Sequence, residues 1–279
     1  MSVSSRNNIQ LSGVIGAQAM VFAHGFGCDQ QMWRLVAPAF EDRYSVVLFD
    51  HVGCGRSDLS CYDPHRYRNL AGYATDVIEL LVELQLERVV FVGHSVSAMI
   101  GVLAAIERPD LFDSLILVGP SARYIDDRDY RGGFTPADID ELLVVMSSNY
   151  LGWSEKMAPI VMGNADRPEL GEELTQLFCA NDPEIATQFA AAFFLADNRA
   201  DLPRCLTPCL VMQLTDDVIA PLEAGAYVHR HLVNSEFLVM QASGHCPNLS
   251  APEETITAMN SYLARGPTNL SWEHRVGPG

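Results

Sequence analysis

Short apolar runs alternate with amphipathic stretches along most of this chain. Val, Ile, Leu, Met and Phe crowd into 20–23, 45–49, 89–92, 115–118, 210–213 and 237–240. Continuous apolar runs of this length read as strands buried on both faces. Between them, apolar positions recur at helical spacing over 31–40, 73–84, 96–107, 221–231 and 253–263. Strand–helix alternation of this kind predicts an α/β fold, a mainly parallel sheet with helices on both faces. A pair of short strands over about 9–14 is expected to begin the sheet.

The interval between the fourth and fifth of these runs is too long for one crossover. It holds four helix-like stretches, 136–149, 153–162, 168–178 and 183–195, each opening near a proline or a polar cap. We therefore expect a helical lid over 123–201, inserted into a core made of 1–122 and 202–265. The Pro/Gly-rich end, 266–279, is expected to be a tail without structure. The lid's apolar side chains, among them Trp153, Met157, Phe189, Phe193 and Phe194, suit packing against the core, with ligand contact the second reading.

Composition narrows the classes. With 279 residues and 48% hydrophobic content, the chain can bury a large core. Lys and Arg number 18 against 35 Asp and Glu, a net charge of −17, which argues against nucleic acid or an anionic membrane as partner. No stretch approaches the roughly 18 apolar residues of a membrane span. No apolar segment follows the polar start Met1-Ser2-Val3-Ser4-Ser5, so a cytoplasmic protein is expected. Seven cysteines lie scattered without zinc-type pairs, so reduced thiols are expected and no metal. Cys28 and Cys246 each neighbour an element considered next.

Gly93-His94-Ser95-Val96-Ser97 joins the apolar run 89–92 to the helical run that follows. A serine at a tight strand-to-helix bend has an exposed hydroxyl, and the next amide stands at a helix N-terminus, where negative charge is favoured. Glycine usually holds the last position; Ser97, the next-smallest polar choice, should strain the helix–strand packing only slightly. Serine is a weak nucleophile at its own pKa and needs a neutral imidazole and an orienting carboxylate. Both follow in the order Ser, Asp, His: Asp216-Asp217 after the run 210–213, and Ser243-Gly244-His245-Cys246-Pro247 after 237–240. We choose Asp217, four residues before Pro221, with Asp216 as the competitor. A surface histidine remains the bland reading of His245. His24-Gly25-Phe26-Gly27 follows the first run, and the amides of Phe26 and Val96 are the expected oxyanion hole.

These segments resemble the RsbQ group of small α/β-hydrolases, which includes a bacterial stress regulator and the plant karrikin and strigolactone receptors. The resemblance runs from about Ile9 to Leu263 and also takes in Tyr130-Arg131-Gly132-Gly133-Phe134 and Phe178-Cys179-Ala180-Asn181-Asp182-Pro183. It implies the α/β-hydrolase fold, a triad of Ser95, Asp217 and His245, and a serine at position 97 as in the plant receptors. It also aligns Phe26, Tyr124, Trp153, Met157 and Phe194 with pocket-lining positions. For this group a PAS-containing PP2C-type phosphatase in a stress response is the implied partner.

The expected activity is hydrolysis of a small hydrophobic ester or lactone through an acyl-enzyme, without a cofactor. Such a protein is either a regulator, favoured by the resemblance, or a metabolic esterase. Carbon–carbon bond hydrolysis uses the same triad and stays open. Haloalkane dehalogenation is disfavoured, because the bend carries serine rather than aspartate.

Overall fold

In the structure, a computed structural model that describes residues 2–266, the apolar runs become strands of one sheet. They are β1 (Gln10–Gly13), β2 (Ala19–Ala23), β3 (Ser45–Phe49), β4 (Val89–His94), β5 (Phe112–Val118), β6 (Cys209–Asp216) and β7 (Ser235–Ser243). Their order across the sheet is β1-β3-β2-β4-β5-β6-β7. β1 pairs antiparallel with β3, and every later pairing is parallel. The helices are α1 (Val3–Arg6), α2 (Leu70–Glu83), α3 (Val96–Glu107), α4 (Pro136–Ser148), α5 (Tyr150–Met162), α6 (Pro168–Cys179), α7 (Pro183–Phe194), α8 (Leu222–His231), α9 (Pro247–Ser250) and α10 (Pro252–Arg265).

Strand periodicity splits the core into two layers. Along β4, Val89 and Phe91 face a cluster that holds Leu80 and Leu81 of α2, Ile100 of α3 and Val228 of α8. Val90 and Val92 face the opposite cluster, with Trp33, Phe40 and the α10 residues Met259 and Tyr262. Both faces are therefore covered, which is why these strands read as unbroken apolar runs rather than as alternation. None of the helices among the described residues is long and apolar enough to cross a membrane.

Two expectations change. The helix expected over 31–40 is two 3₁₀ turns, Gln30–Trp33 and Ala37–Phe40. The Asp29 carboxylate accepts from Gln31 N–H and starts the first turn, while Pro38 brings no N–H to continue a helical ladder. The strand pair expected over 9–14 is a single strand, β1, whose four residues are exposed and which ends at Gly13 in the left-handed region. Elsewhere boundaries move by a few residues: α2 begins at Leu70, where the Asn69 side chain caps the Ala71 N–H. From residue 267 onward the expected tail lies outside the described residues.

The parallel strands β2 to β7 end at one edge. The chain leaves the sheet after β5, forms α4 to α7, and returns before β6. Phe26, just past β2, touches Trp153 of α5, Phe178 of α6 and Phe189 and Phe193 of α7, so these helices sit over that edge.

Candidate active site

Ser95 stands between β4 and α3 with φ 56° and ψ −121°. A residue with a side chain is rarely found there, and the conformation persists because its surroundings over-determine it. One restraint is the Ser95 N–H, which donates to Val118 O of β5 at 2.8 Å. The bend carries the hydroxyl to His245, whose Nε2 lies 2.7 Å from Ser95 Oγ. On the other side of the ring, Nδ1 lies 2.7 Å from Asp217 Oδ2. Asp217 is fixed in turn: its Oδ1 accepts from the N–H groups of Ile219 (2.8 Å) and Ala220 (3.0 Å). A carboxylate only accepts, so the His245 proton resides on Nδ1 and Nε2 presents a lone pair to the serine hydroxyl. The Asp217 side chain is 0% exposed and that of His245 5%, so water does little to weaken the pair. Asp216, the competitor, is exposed; its backbone oxygen instead accepts from Gly244 N–H at 2.7 Å.

Beside Ser95 runs the His24–Gly27 loop. A Cβ on Gly25 would stand 2.6 Å from His94 Nδ1 and 3.4 Å from Ser95 Cβ, so only glycine permits this approach. Among the described residues the Phe26 N–H has no protein acceptor. Val96 is the first residue of α3, where N–H groups have no intrahelical partner. Both amides are therefore free to bind an anion next to Ser95.

A second serine–histidine contact lies deeper: His51 Nε2 is 2.7 Å from Ser97 Oγ. Its polarity is the reverse of the first. The Ser97 hydroxyl donates its single proton to the carbonyl oxygen of His24, so toward His51 it can only accept, and His51 Nε2 must carry a proton. No carboxylate orients this ring: the Asp50 oxygens accept from Asn8, Gln30 and Arg56. Burial keeps His51 well below the ordinary histidine pKa. His24 is lowered by the same cause. His94 is pushed down to about 3, by burial first and by the neighbouring His245 second. His94 Nε2 lies 2.8 Å from the backbone oxygen of His245 and donates to it.

Above Ser95 and His245 lies a small cavity with an almost wholly apolar lining. Of the five expected lining residues, Phe26, Trp153, Met157 and Phe194 face it. Tyr124 is not on its wall. The Tyr124 ring packs edge-on against Phe193 and Phe194. Its buried hydroxyl lies beside Ser95, and burial raises its pKa. Cys28 and Cys246 line the cavity, with thiols raised by burial and hence protonated. Leu142, Leu174 and Ile219 also line it and were not singled out from sequence. The buried histidine frame was missed as well, although His24, His51 and His94 all stand at or just past the ends of adjacent strands, a visible signal.

A family model described as the alpha/beta hydrolase family matches residues 20–258. The chain belongs to that family. Among curated relatives of this hydrolase, the karrikin insensitive 2 receptor CA of Petunia hybrida is 40% identical over 94% of this chain and 97% of its own. The strigolactone esterase D14 of Arabidopsis thaliana is 36% identical over 92% and 96%. These similarities match the RsbQ-like group. Among solved structures, a hydrolase from Oleispira antarctica superposes with a TM-score of 0.90 at 40% identity, covering 93% of this chain and 95% of that one. The α/β-hydrolase thus carries a Ser–His–Asp arrangement among esterase-named relatives.

Proposed function

We propose that this protein hydrolyses a small, largely apolar ester or lactone through an acyl-enzyme on Ser95. Ser95 Oγ attacks the carbonyl carbon while His245 Nε2 takes the hydroxyl proton, and Asp217 holds the ring and balances the imidazolium charge. The carbonyl oxygen becomes an oxyanion received by the amides of Phe26 and Val96. Collapse expels the alkoxide, which takes the proton back from His245. Water then attacks the acyl carbon as His245 takes its proton, and collapse breaks the bond to Ser95 Oγ, which recovers the proton from His245 as the acid leaves. The observation that carries this reading is a complete hydrogen-bonded relay from Asp217 to Ser95 ending at the floor of an apolar cavity. A charged substrate would lose hydration there without compensation.

Residues 123–201 serve as a lid that keeps bulk water from the acyl-enzyme. The receptor-named relatives favour a regulatory role, in which ligand turnover or occupancy is read by a protein partner; a PP2C-type phosphatase as that partner rests on the resemblance alone. A metabolic esterase is the second reading, which the esterase-named relatives support as far as hydrolysis itself. The test is release of nitrophenolate from p-nitrophenyl acetate. His245→Ala should lower kcat by about 10⁴-fold or more. Undiminished hydrolysis in that variant would remove His245 from the role of base.

A further inference from the structure

We propose that Ser97 and His51 are positioning residues that hold the oxyanion loop from beneath, so that position 97 carries a serine for its hydroxyl and not merely for its size. Glycine at this position would let α3 pack against β4 but would leave two hydrogen bonds unmade. Ser97 Oγ, fully buried, donates to the His24 carbonyl and accepts from His51 Nε2–H at 2.7 Å. The loop is closed from the other side as well. His51 N–H donates to His24 Nε2 at 3.1 Å, which places the His24 proton on Nδ1, 2.8 Å from Gly25 O. The two peptides on either side of Gly25 are thus each held by their carbonyl, His24 O by Ser97 and Gly25 O by His24 Nδ1–H, and the second of them carries the Phe26 N–H.

The chain of donors has one direction: His51 Nε2–H to Ser97 Oγ, then Ser97 Oγ–H to His24 O. Reversing it would require a proton on His51 Nδ1, which is buried and has no partner among the described residues. A second ring packs the assembly: His24 and His51 meet edge-on at 4.8 Å, and Phe189 of the inserted helix α7 covers His51 at 6.2 Å. This frame does no proton transfer. It sets where the Phe26 amide points, and an oxyanion donor displaced by a fraction of an ångström loses much of its effect on the transition state while barely altering ground-state binding.

The inference rests on Ser95 as nucleophile, and the experiment separates the two. Kinetics with p-nitrophenyl acetate are measured for the full chain carrying Ser95→Ala, Ser97→Ala, Ser97→Gly, His51→Phe and His51→Gln, each checked for folding by its thermal midpoint. Ser97→Ala, Ser97→Gly and His51→Phe should lose about 10- to 100-fold in kcat with KM within about two-fold of wild type. His51→Gln, whose amide can donate in place of Nε2–H, should recover most of that loss, and it keeps the question open to test if the Ser97 variants fold poorly. Full kcat in Ser97→Gly, or no recovery in His51→Gln relative to His51→Phe, would overturn the positioning role. An active Ser95→Ala enzyme would instead overturn the reading on which the inference rests.

Discussion

Asp216 and Asp217 are adjacent, yet one carboxylate is exposed and the other buried, and the difference is set by the turn that ends β6. Asp216 closes β6, with its side chain in solvent, whereas Asp217 turns inward to His245 and is fixed by the Ile219 and Ala220 amides. Spacing from Pro221 pointed to Asp217, but only the turn geometry separates the pair. Asp217→Asn keeps the size and removes the charge, so the imidazole loses its tautomer control. Its kcat on p-nitrophenyl acetate should fall by about 10⁴-fold. Asp216→Asn, at an exposed site, should stay within about two-fold. Equal losses in the two variants would contradict the assignment. Ser97 shows the limit of reading one residue at a time: by size it looks like a tolerated substitute for glycine, and its two hydrogen-bond partners, at positions 24 and 51, are far away in sequence.

Elements were legible where burial made them simple. The strands of the sheet interior stood out as apolar runs, and three of the four inserted helices were marked by proline starts at 136, 168 and 183, while α5 opens on the Asn149 cap. The segment 31–40 was misread because Trp33, Val36 and Phe40 recur at helical spacing while Pro38 and local capping favour shorter turns. Contacts between elements left no sequence signal. The clearest is the junction of α5 with the loop that carries His245. His245 N–H donates to Val161 O at 2.9 Å, and the Asn164 amide bridges Met162 O (2.9 Å) and Ser243 O (3.1 Å). Gly244, at φ 78°, lies so near that a Cβ would stand 1.9 Å from Met162 O. The inserted helix α5 therefore ends directly on the histidine loop. Asn164→Ala removes the bridge at a cost of about 1–3 kcal/mol, and the thermal midpoint should fall by a few °C. If the junction positions His245, kcat should fall by more than the folded fraction explains; a drop in midpoint with unchanged kcat would show the bridge to be purely structural.

At the scale of the whole molecule, three buried neutral histidines make stability depend on pH. In the unfolded chain His24, His51 and His94 take up protons near the ordinary histidine pKa of about 6.5; in the folded chain all three are lowered, His94 to about 3. Below pH 6.5 the unfolded state therefore binds more protons, and unfolding free energy falls as pH falls. Each such group contributes a slope of up to about 1.4 kcal/mol per pH unit. Asp76 opposes this, since burial raises its pKa and the folded chain protonates it first. Urea melts between pH 7.5 and about 4.5, in ~0.2 M salt to screen the net charge of −17, should show stability level above pH 7 and dropping steeply below 6.5. A level profile down to pH 5 would mean that these histidines are not held neutral.

The most direct measurement is intact-mass analysis after treatment with a serine-reactive p-nitrophenyl phosphonate, with peptide mapping of the adduct. The wild-type chain should gain one phosphonyl group, located on Ser95, and Ser95→Ala should gain none. An adduct that persists in Ser95→Ala, or one that maps to Ser97, would contradict the assignment of the nucleophile.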